Sequence, residues 1–383
     1  MIVPDNIKVV NMSLGTAPIS SYKDDPICNA VRKLVDSGVV VVAAAGNNGK
    51  DANGQKIYGA IHCPGNEPSA ITVGASNSYG SDPRNDDSIT TYSSRGPTRS
   101  ISVDDSGVKH YDNLIKPDLV APGNKIVSAE AANNKLVNEF PQLETHNYST
   151  TNMKLMYLSG TSMSTPMVAG AAALLLEANS KLTPNMVKMV LMYTAQPLAG
   201  YNTLDQGAGQ LNIAGAVSLG KIVKTDVLPG LLGPSFGSAF LTQSAPAPET
   251  SISGSNFPWA QGLILNHATI TGKDLITKYQ VSYGKGYLLG DGVVEGLTTQ
   301  NLNSSMWTKP GLFLGGYLMK SDGTPLGGGS IFMSNVLLLG DGYALGDGYA
   351  LGDGYALGDG YALGDGYALG DDCQLGDDGP GME

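Results

Sequence analysis

The chain has 383 residues, 51 of them glycine, and a formal net charge of −11. That net charge lies in residues 321–383, which hold ten Asp, one Glu and no Lys or Arg, so residues 1–320 are neutral. Neither part of the chain therefore has the basic surplus of a nucleic-acid-binding protein. No stretch reaches the ~18 uninterrupted apolar residues of a membrane span, and residues 1–10 lack the basic start and apolar core of a signal peptide.

The first 45 residues show the patterns of a strand, a helix and a second strand. Residues 7–14 form a short, β-rich apolar run that ends at Gly15. Residues 26–38 open with Pro, close with Gly and carry apolar residues at helical spacing, which predicts a helix. Residues 39–45 are continuously apolar, as expected of a strand buried on both faces of a parallel sheet. Together they predict a right-handed βαβ unit.

The same alternation continues to about residue 220 and predicts the fold class. It indicates an α/β domain of three layers over residues 1–222, with helices on both faces of a mostly parallel sheet. Further strands are predicted at 70–75, 119–120, 125–128 and 155–158. Helices are predicted from about Ser162 to residue 178, over 183–193 and over 210–219.

The remaining chain changes in composition twice. Residues 223–256 are rich in Pro, Gly, Ser and Ala and predict a linker, and residues 257–336 predict a small β-rich or irregular region. Residues 337–383 form a low-complexity Gly/Asp-rich tail with five intact copies of LGDGYA. A flexible tail, a stacked β-repeat and calcium-dependent order are the alternatives for these repeats.

The three cysteines are Cys28, Cys63 and Cys373. Their number is odd and their spacing is wide, which fits neither a disulfide framework nor a zinc pattern. Unpaired thiols are therefore expected, with a Cys28–Cys63 bridge as the alternative.

Three predicted strands end in residues that suit catalysis, and the carboxyl ends of strands are where open α/β sheets place their sites. Ser162 stands where a helix begins, and there it could act as a helix cap, a nucleophile or both. Asn47 follows a strand in a glycine-flanked turn, where its amide could stabilise an oxyanion. Residues 13–15 and 44–46 could pair with an extended peptide. Each residue alone also fits a structural role, and only their joint occurrence favours a site.

The sequence SGTSMSTPMVAGAAALL resembles the nucleophile motif of the subtilisin-like serine proteases, or subtilases. VVNMSLG resembles the substrate-binding strand of that family, and VVVVAAAGNNG resembles its oxyanion-hole segment. The resemblance covers about residues 7–220, with its motifs in family order. It implies an extracellular or cell-surface endopeptidase that hydrolyses peptide bonds through an acyl-enzyme, with a protein or peptide as substrate.

The resemblance also implies individual roles. Ser162 matches the nucleophile and Asn47 the oxyanion donor. Asn48 is neutral at a position where some members carry an acid, which favours apolar or broad specificity. The two walls of the substrate pocket match Ser13, Leu14 and Gly15 on one side and Ala44, Ala45 and Gly46 on the other.

The family takes its general base and orienting acid from H-G-T and D-[ST]-G segments, which in family order come before the substrate-binding strand. This chain has no H-G-T, and its two D-S-G strings, at residues 36–38 and 105–107, come after that strand. We expect none of the four histidines to replace the base, and we expect Asp118 to be a structural acid. The histidines are His62, His110, His146 and His267.

The sequence therefore predicts the C-terminal part of a catalytic domain, without its N-terminal strands and inactive alone. Met1 would not be the true start, and the missing N-terminal segment would be the chain's partner. A catalytically dead peptide-binding or surface-attachment module is the main alternative, and a structural repeat protein is the other. No metal site is assigned, although calcium, which subtilases commonly bind, is left open as a cofactor.

Overall fold

The computed structural model describes residues 6–103, 105, 107, 109–145, 153–225, 238–265 and 268–279. The LGDGYA repeats and most of the predicted region 257–336 lie outside these residues. The first part of the chain forms β1 (Val9–Met12), α1 (Pro26–Asp36), β2 (Val40–Ala44), β3 (Ile71–Asn77), β4 (Ser88–Ile89), β5 (Ile101–Val103), β6 (Lys109–Tyr111), β7 (Leu119–Pro122), β8 (Ile126–Ala129), α2 (Lys135–Glu139) and a 3-10 turn at Pro141–Leu143. The rest forms β9 (Leu155–Leu158), α3 (Thr161–Ala178), α4 (Pro184–Thr194), α5 (Thr203–Gln206), α6 (Ile213–Gly220), β10 (Glu249–Ile252), β11 (Ser255–Pro258), β12 (Gly262–Leu265), β13 (Ala268–Thr271) and α7 (Asp274–Thr277).

The central sheet is mostly parallel, as the sequence predicts. β1 pairs with β2, β2 with β3 and β3 with β7, all in parallel. β4 pairs antiparallel with the end of β3. Among the described strands, β1 is therefore an edge of this sheet.

β2 shows why residues 39–45 are continuously apolar. All five of its residues are buried, because the sheet has a helix layer on each face. Val40 and Val42 pack into the core that contains α3, α4 and α6. Val41 and Ala43 face the other way, into a cluster with residues of α1. This α/β layering confirms the predicted fold class at the level of sheet and helices.

α1 begins and ends where its sequence predicts. The Asp25 carboxylate accepts the N–H groups of Ile27 and Cys28 and caps the helix, and Pro26 fills its first position. After the last helical residue, Gly38 adopts a φ of 93°, a conformation that glycine takes without steric cost. α1 thereby returns the chain to the sheet at β2.

Residues beyond the predicted boundary at residue 222 pack into the same core as the residues before it. Phe240 and Leu241 lie within the predicted linker 223–256 yet are buried in the cluster that holds α3 and α4. The same linker also contains β10. Trp259 stacks edge-on against Tyr193 of α4, with ring centroids 6.4 Å apart. Buried aromatic area holds this segment against the domain, although its Pro, Gly and Ser content suggested a linker.

Among the described residues, no helix has both the length and the apolar character needed to cross a membrane. The 18-residue α3 is the longest described helix, and it packs against β1, β2, β3 and β7. Its first turn lies at the carboxyl end of the parallel strands, where the predicted site residues gather.

Candidate active site

Ser162 is the second residue of α3, and its side chain is half-buried. The N-cap is Gly160, with a φ of 151° and no side-chain cap bond. Ser162 is therefore not the helix cap, which was one of the alternatives for it. The hydroxyl of Ser162 is left for another role, at the positive end of the helix dipole.

Pro166 explains how Ser162 is tied to the first strand. Proline has no N–H, so Pro166 cannot donate to the carbonyl of Ser162 four residues earlier. That carbonyl instead accepts a hydrogen bond from the Ser13 hydroxyl at 2.7 Å. In return, the Ser162 hydroxyl donates to the Ser13 carbonyl at 3.3 Å. A break in the helix ladder thus fastens the start of α3 to the end of β1.

Asn47 is exposed and held in one orientation by Thr161. Its Oδ1 atom accepts from the Thr161 backbone N–H at 2.9 Å and from the Thr161 hydroxyl at 3.0 Å. The Thr161 hydroxyl in turn accepts the buried Gly46 N–H at 3.2 Å. Because its amide oxygen accepts an N–H of the first turn of α3, Asn47 caps that helix from the end of the neighbouring strand β2. Its Nδ2 group is left to donate to a ligand.

The two predicted pocket walls differ in how they are bonded. Residues 13–15 continue β1 past its last pair, and Leu14 is 53% exposed. Ala44, Ala45 and Gly46 are buried. The Ala45 N–H donates to the Val73 carbonyl, and its own carbonyl accepts from His62. The second wall can therefore contact a peptide through its surface but not through backbone hydrogen bonds. Only the first wall stays open to pairing with an added peptide strand.

The gap between the walls is closed by residues 62 and 63. β1 and β2 pair as far as Met12 and Ala43 and then separate. Beyond that point the His62 N–H donates to the Ala45 carbonyl at 2.9 Å. Cys63 exchanges two backbone hydrogen bonds with Thr16, at 2.9 and 3.0 Å. One short segment thus bonds to Ala45 of the second wall and to Thr16, the residue after the first wall, and forms the floor of the cleft.

The His62 ring fills the space beside the two wall glycines. A Cβ added to Gly46 would lie 2.7 Å from the ring, and one added to Gly15 would lie 3.0 Å from His62 Cβ. The Nε2 atom of His62 is 2.8 Å from Asn48 Oδ1. Burial lowers the pKa of His62, and a backbone hydrogen bond with Gly15 opposes that effect.

His62 is the site residue that sequence reasoning missed, because it was weighed only as a general base. Its ring bonds to Asn48 Oδ1 through Nε2. Of the other three histidines, His146 and His267 lie outside the described residues, as does the side chain of His110 on β6.

Asp118 lies away from this cleft, in the core. It is 1% exposed, and its carboxylate contacts the Nζ atoms of Lys116 and Lys188 at 2.8 and 3.0 Å. The contacts with the two lysine side chains leave the Asp118 carboxylate enclosed in the fold. This placement agrees with the expectation of a structural acid.

These features define an α/β protein with a serine at a helix N-terminus and an asparagine amide beside it. Asn47 follows the parallel strand β2, and Ser162 is bonded to Ser13, just beyond the end of β1. A sequence profile described as the Subtilase family matches residues 1–215. The chain belongs to the subtilase family, whose members include serine proteases.

The chain is similar to several named proteins over the same region. It is 33% identical over 217 residues to serine protease AprX of Bacillus subtilis (strain 168), covering 56% of this chain and 44% of that protein. It is 30% identical over 217 residues to subtilisin-like protease SBT6.1 of Arabidopsis thaliana, covering 55% of this chain and 17% of that protein. It is 33% identical over 189 residues to an extracellular serine proteinase of Thermus sp. (strain Rt41A), covering 49% of this chain and 33% of that one.

The matched region is less than half the length of each of these relatives. Among solved structures, the self-cleaved protease domain of PatA is 26% identical, with a TM-score of 0.39. That match covers 57% of this chain and 64% of the PatA chain.

Proposed function

We propose that this chain supplies the nucleophile, the oxyanion site and the substrate pocket of an extracellular serine endopeptidase, and that a segment outside the chain supplies the general base and its orienting acid. The single observation that carries the proposal is the bonding of Asn47 to Thr161, directly beside Ser162. A mere turn-forming asparagine would not need to be held against the start of another helix. The extracellular location rests on the named Thermus relative.

The oxyanion site consists of the Asn47 Nδ2 group and the Ser162 backbone N–H. The Ser162 N–H belongs to the first helical turn, whose N–H groups have no partner within the helix. Both donors are fixed before a substrate arrives, and the helix dipole adds positive potential there. Preorganised donors of this kind stabilise the negative charge that develops on a carbonyl oxygen under attack.

The nucleophile lacks a base within the described residues. Ser162 Oγ donates to the Ser13 carbonyl, which is too weak a base to activate a hydroxyl. The His62 ring is engaged by Asn48 at the cleft floor. We therefore assign the base to a segment that docks beside Ser162.

The docking surface for that segment is an apolar face of α3 together with the open edge of β1. Met167 and Leu174 on α3 are 38% and 46% exposed, and Gly170 between them is also exposed. These positions are three or four residues apart and share one helix face. A helix that is apolar all round is normally buried. The occupant we propose is the missing part of the same catalytic domain, which would also pair with β1.

The pocket takes the side chain that precedes the scissile bond, and His62 sets its depth. Because the imidazole occupies the space between Gly15 and Gly46, large aromatic side chains would meet the ring. We propose a preference for small and medium side chains, with a peptide strand added along residues 13–15. Leu14 offers an exposed apolar surface to that peptide.

Chemical rescue tests the proposal on the full chain. A fluorophosphonate probe reacts when the serine oxygen attacks phosphorus, fluoride leaves and a base takes the hydroxyl proton. We expect slow labelling of the chain alone and a labelling rate that rises at least about tenfold with millimolar imidazole as the base. Ser162→Ala should abolish the labelling.

Two results would contradict the proposal. Fast labelling without imidazole would mean that the chain contains its own base. An intact, folded chain that never labels, at any imidazole concentration, would favour a peptide-binding module without catalysis. The bond between the Ser162 hydroxyl and the Ser13 carbonyl is the observation that favours this second candidate.

A further inference from the structure

Cys28 and Cys63 are 35 positions apart in sequence but adjacent behind the cleft floor. Both are free thiols in the structure, with their Sγ atoms 3.6 Å apart. Cys28 lies in the first turn of α1, and Cys63 is the floor residue bonded to Thr16. We infer that this pair is an oxidative modification site at which the two thiols join in a disulfide, fastening the cleft floor to α1.

The surroundings suit a buried disulfide. The two side chains are 0% and 2% exposed and share an apolar cluster with Tyr22 and Leu114. A disulfide holds its sulfur atoms ~2.05 Å apart, so the two atoms must approach by about 1.5 Å. Side-chain rotation and small shifts of the irregular segment at Cys63 provide that movement.

Oxidation would cost little in hydrogen bonding. The Cys28 thiol donates to Asn66 Oδ1 at 3.3 Å, and this bond is lost with the thiol proton. Asn66 keeps its bond from Nδ2 to the Ser100 hydroxyl at 3.1 Å, so its side chain stays anchored.

The chemistry requires an oxidant, which we assign to a low-molecular-weight disulfide such as glutathione disulfide. One cysteine thiolate attacks the glutathione disulfide and displaces a glutathione thiolate. The second cysteine thiolate then attacks the mixed disulfide and displaces another. Two electrons pass to the oxidant, and the two protons lost by the cysteines end on the two glutathione molecules.

The bond must form before the pair is buried. The hydrogen bond with Cys63, followed by burial, raises the pKa of the Cys28 thiol far above its ordinary value. The folded dithiol therefore holds little thiolate and reacts slowly. Oxidation during folding avoids this barrier, and burial then shields the finished disulfide from reductants.

A metal ion is the competing occupant. Asp25, Cys28 and Cys63 place possible ligand atoms within 4.8 Å of one another. However, Asp25 Oδ1 already accepts the N–H groups of Ile27 and Cys28, at 2.8 and 3.1 Å. A zinc ion would also need both thiols deprotonated, against the raised pKa of Cys28. The observations favour the disulfide.

The test counts thiols in the full chain carrying Cys373→Ser, which leaves only the pair in question. The protein is refolded in a glutathione redox buffer and then denatured without reductant. We expect no reactive thiol before reduction and two after it. Mass spectrometry should find tryptic peptides 24–32 and 57–84 linked. Two free thiols after refolding would overturn the inference, and so would one bound zinc per chain, whose retention depends on both cysteines.

Stability gives a second readout that separates a bond from simple packing. Cys28→Ser, Cys63→Ser and the double variant should each lower Tm by the same amount, about 5–10 °C, because half a disulfide stabilises nothing. Additive losses in the double variant would show two independent thiols and contradict the disulfide. Neither measurement depends on peptidase activity, so this inference and the proposed function fail separately.

Discussion

The buried cluster around Asp118 gives a sharp test of how this fold holds a charge. The carboxylate faces the ammonium groups of Lys116 and Lys188 and also accepts the Thr72 N–H at 2.8 Å. Asp118→Asn would leave the buried Lys116 ammonium, and Lys188 wherever it is protonated, opposite a neutral amide. Removing one partner of a buried ion pair costs about 3–5 kcal/mol, and we expect a loss in this range. This is a large part of the about 5–15 kcal/mol that stabilises a typical domain.

Lys188 gives the same cluster a pH signature. Burial, reinforced by Lys116 and opposed by Asp118, lowers the pKa of Lys188 to about 7. The unfolded chain keeps this lysine protonated up to its ordinary value of 10.5. Above pH 7 the unfolded state therefore binds more protons than the folded state, and this group makes stability rise with pH. Lys188→Met should remove that rise and leave a neutral Lys116–Asp118 pair.

Urea unfolding between pH 7 and 9 measures both effects in the full chain. This window lies below the pKa of about 12 to which burial raises the Tyr92 and Tyr193 hydroxyls. Lys135→Met is the matched control, since the Lys135 side chain is 86% exposed. The control should keep the pH dependence of the parent. A loss below about 1 kcal/mol for Asp118→Asn, or an unchanged pH slope in Lys188→Met, would refute the reasoning.

Three further predictions use labelling in the presence of imidazole. Asn47→Asp keeps an acceptor for Thr161 but loses the oxyanion donor. The labelling rate should therefore fall about 10²–10³-fold, the size measured for this loss in a subtilisin, while Tm is retained. An unchanged labelling rate would remove Asn47 from the oxyanion site. Two peptidyl phosphonates that carry either phenylalanine or alanine before the reactive group compare the depth of the pocket. His62→Gly should raise the ratio of the phenylalanine labelling rate to the alanine labelling rate at least about tenfold. An unchanged ratio would contradict a floor at His62. Pro166→Ala supplies a backbone N–H that competes with the Ser13 hydroxyl for the Ser162 carbonyl. Peptide phosphonates should then bind about two- to fivefold more weakly, without a fall in Tm. Unaltered binding would mean that peptide binding does not need the break in the helix hydrogen bonds.

The parts of the fold that local chemistry determines were predictable from sequence. α1 carries its own cap and stop signals, and β2 is apolar on both faces because both faces are covered. Both elements were expected within two residues of their observed bounds. The segment from Phe240 to Trp259 was not, since its many turn-forming residues conceal a few large side chains that pack on α4. Composition averages over such a segment, whereas its burial depends on single aromatic residues.

The candidate site divides in the same way. Motifs brought out Ser162 and Asn47, because a nucleophile and an oxyanion donor need fixed residue types at the ends of particular elements. The role of His62 as the cleft floor was missed, because it depends on a hydrogen bond to Ala45 and on two glycines distant in sequence. A histidine followed by cysteine and proline has no local signal for such a place. The contact between Cys28 and Cys63 also depends on the path of α1 behind the cleft, and their spacing in sequence left it as one of two alternatives.

The order in which these contacts can form follows from what each one needs. Asn47, Thr161 and Gly46 already bond to one another, so the oxyanion site requires no other chain to be rigid. The Ser162 hydroxyl, by contrast, rests on the Ser13 carbonyl in a bond that a base must displace before attack. Under the proposed function, electrostatic preorganisation would thus be complete within this chain, while activation of the nucleophile would need a base from a segment outside it. Such a chain would hold a peptide in place and not cut it until that base was supplied.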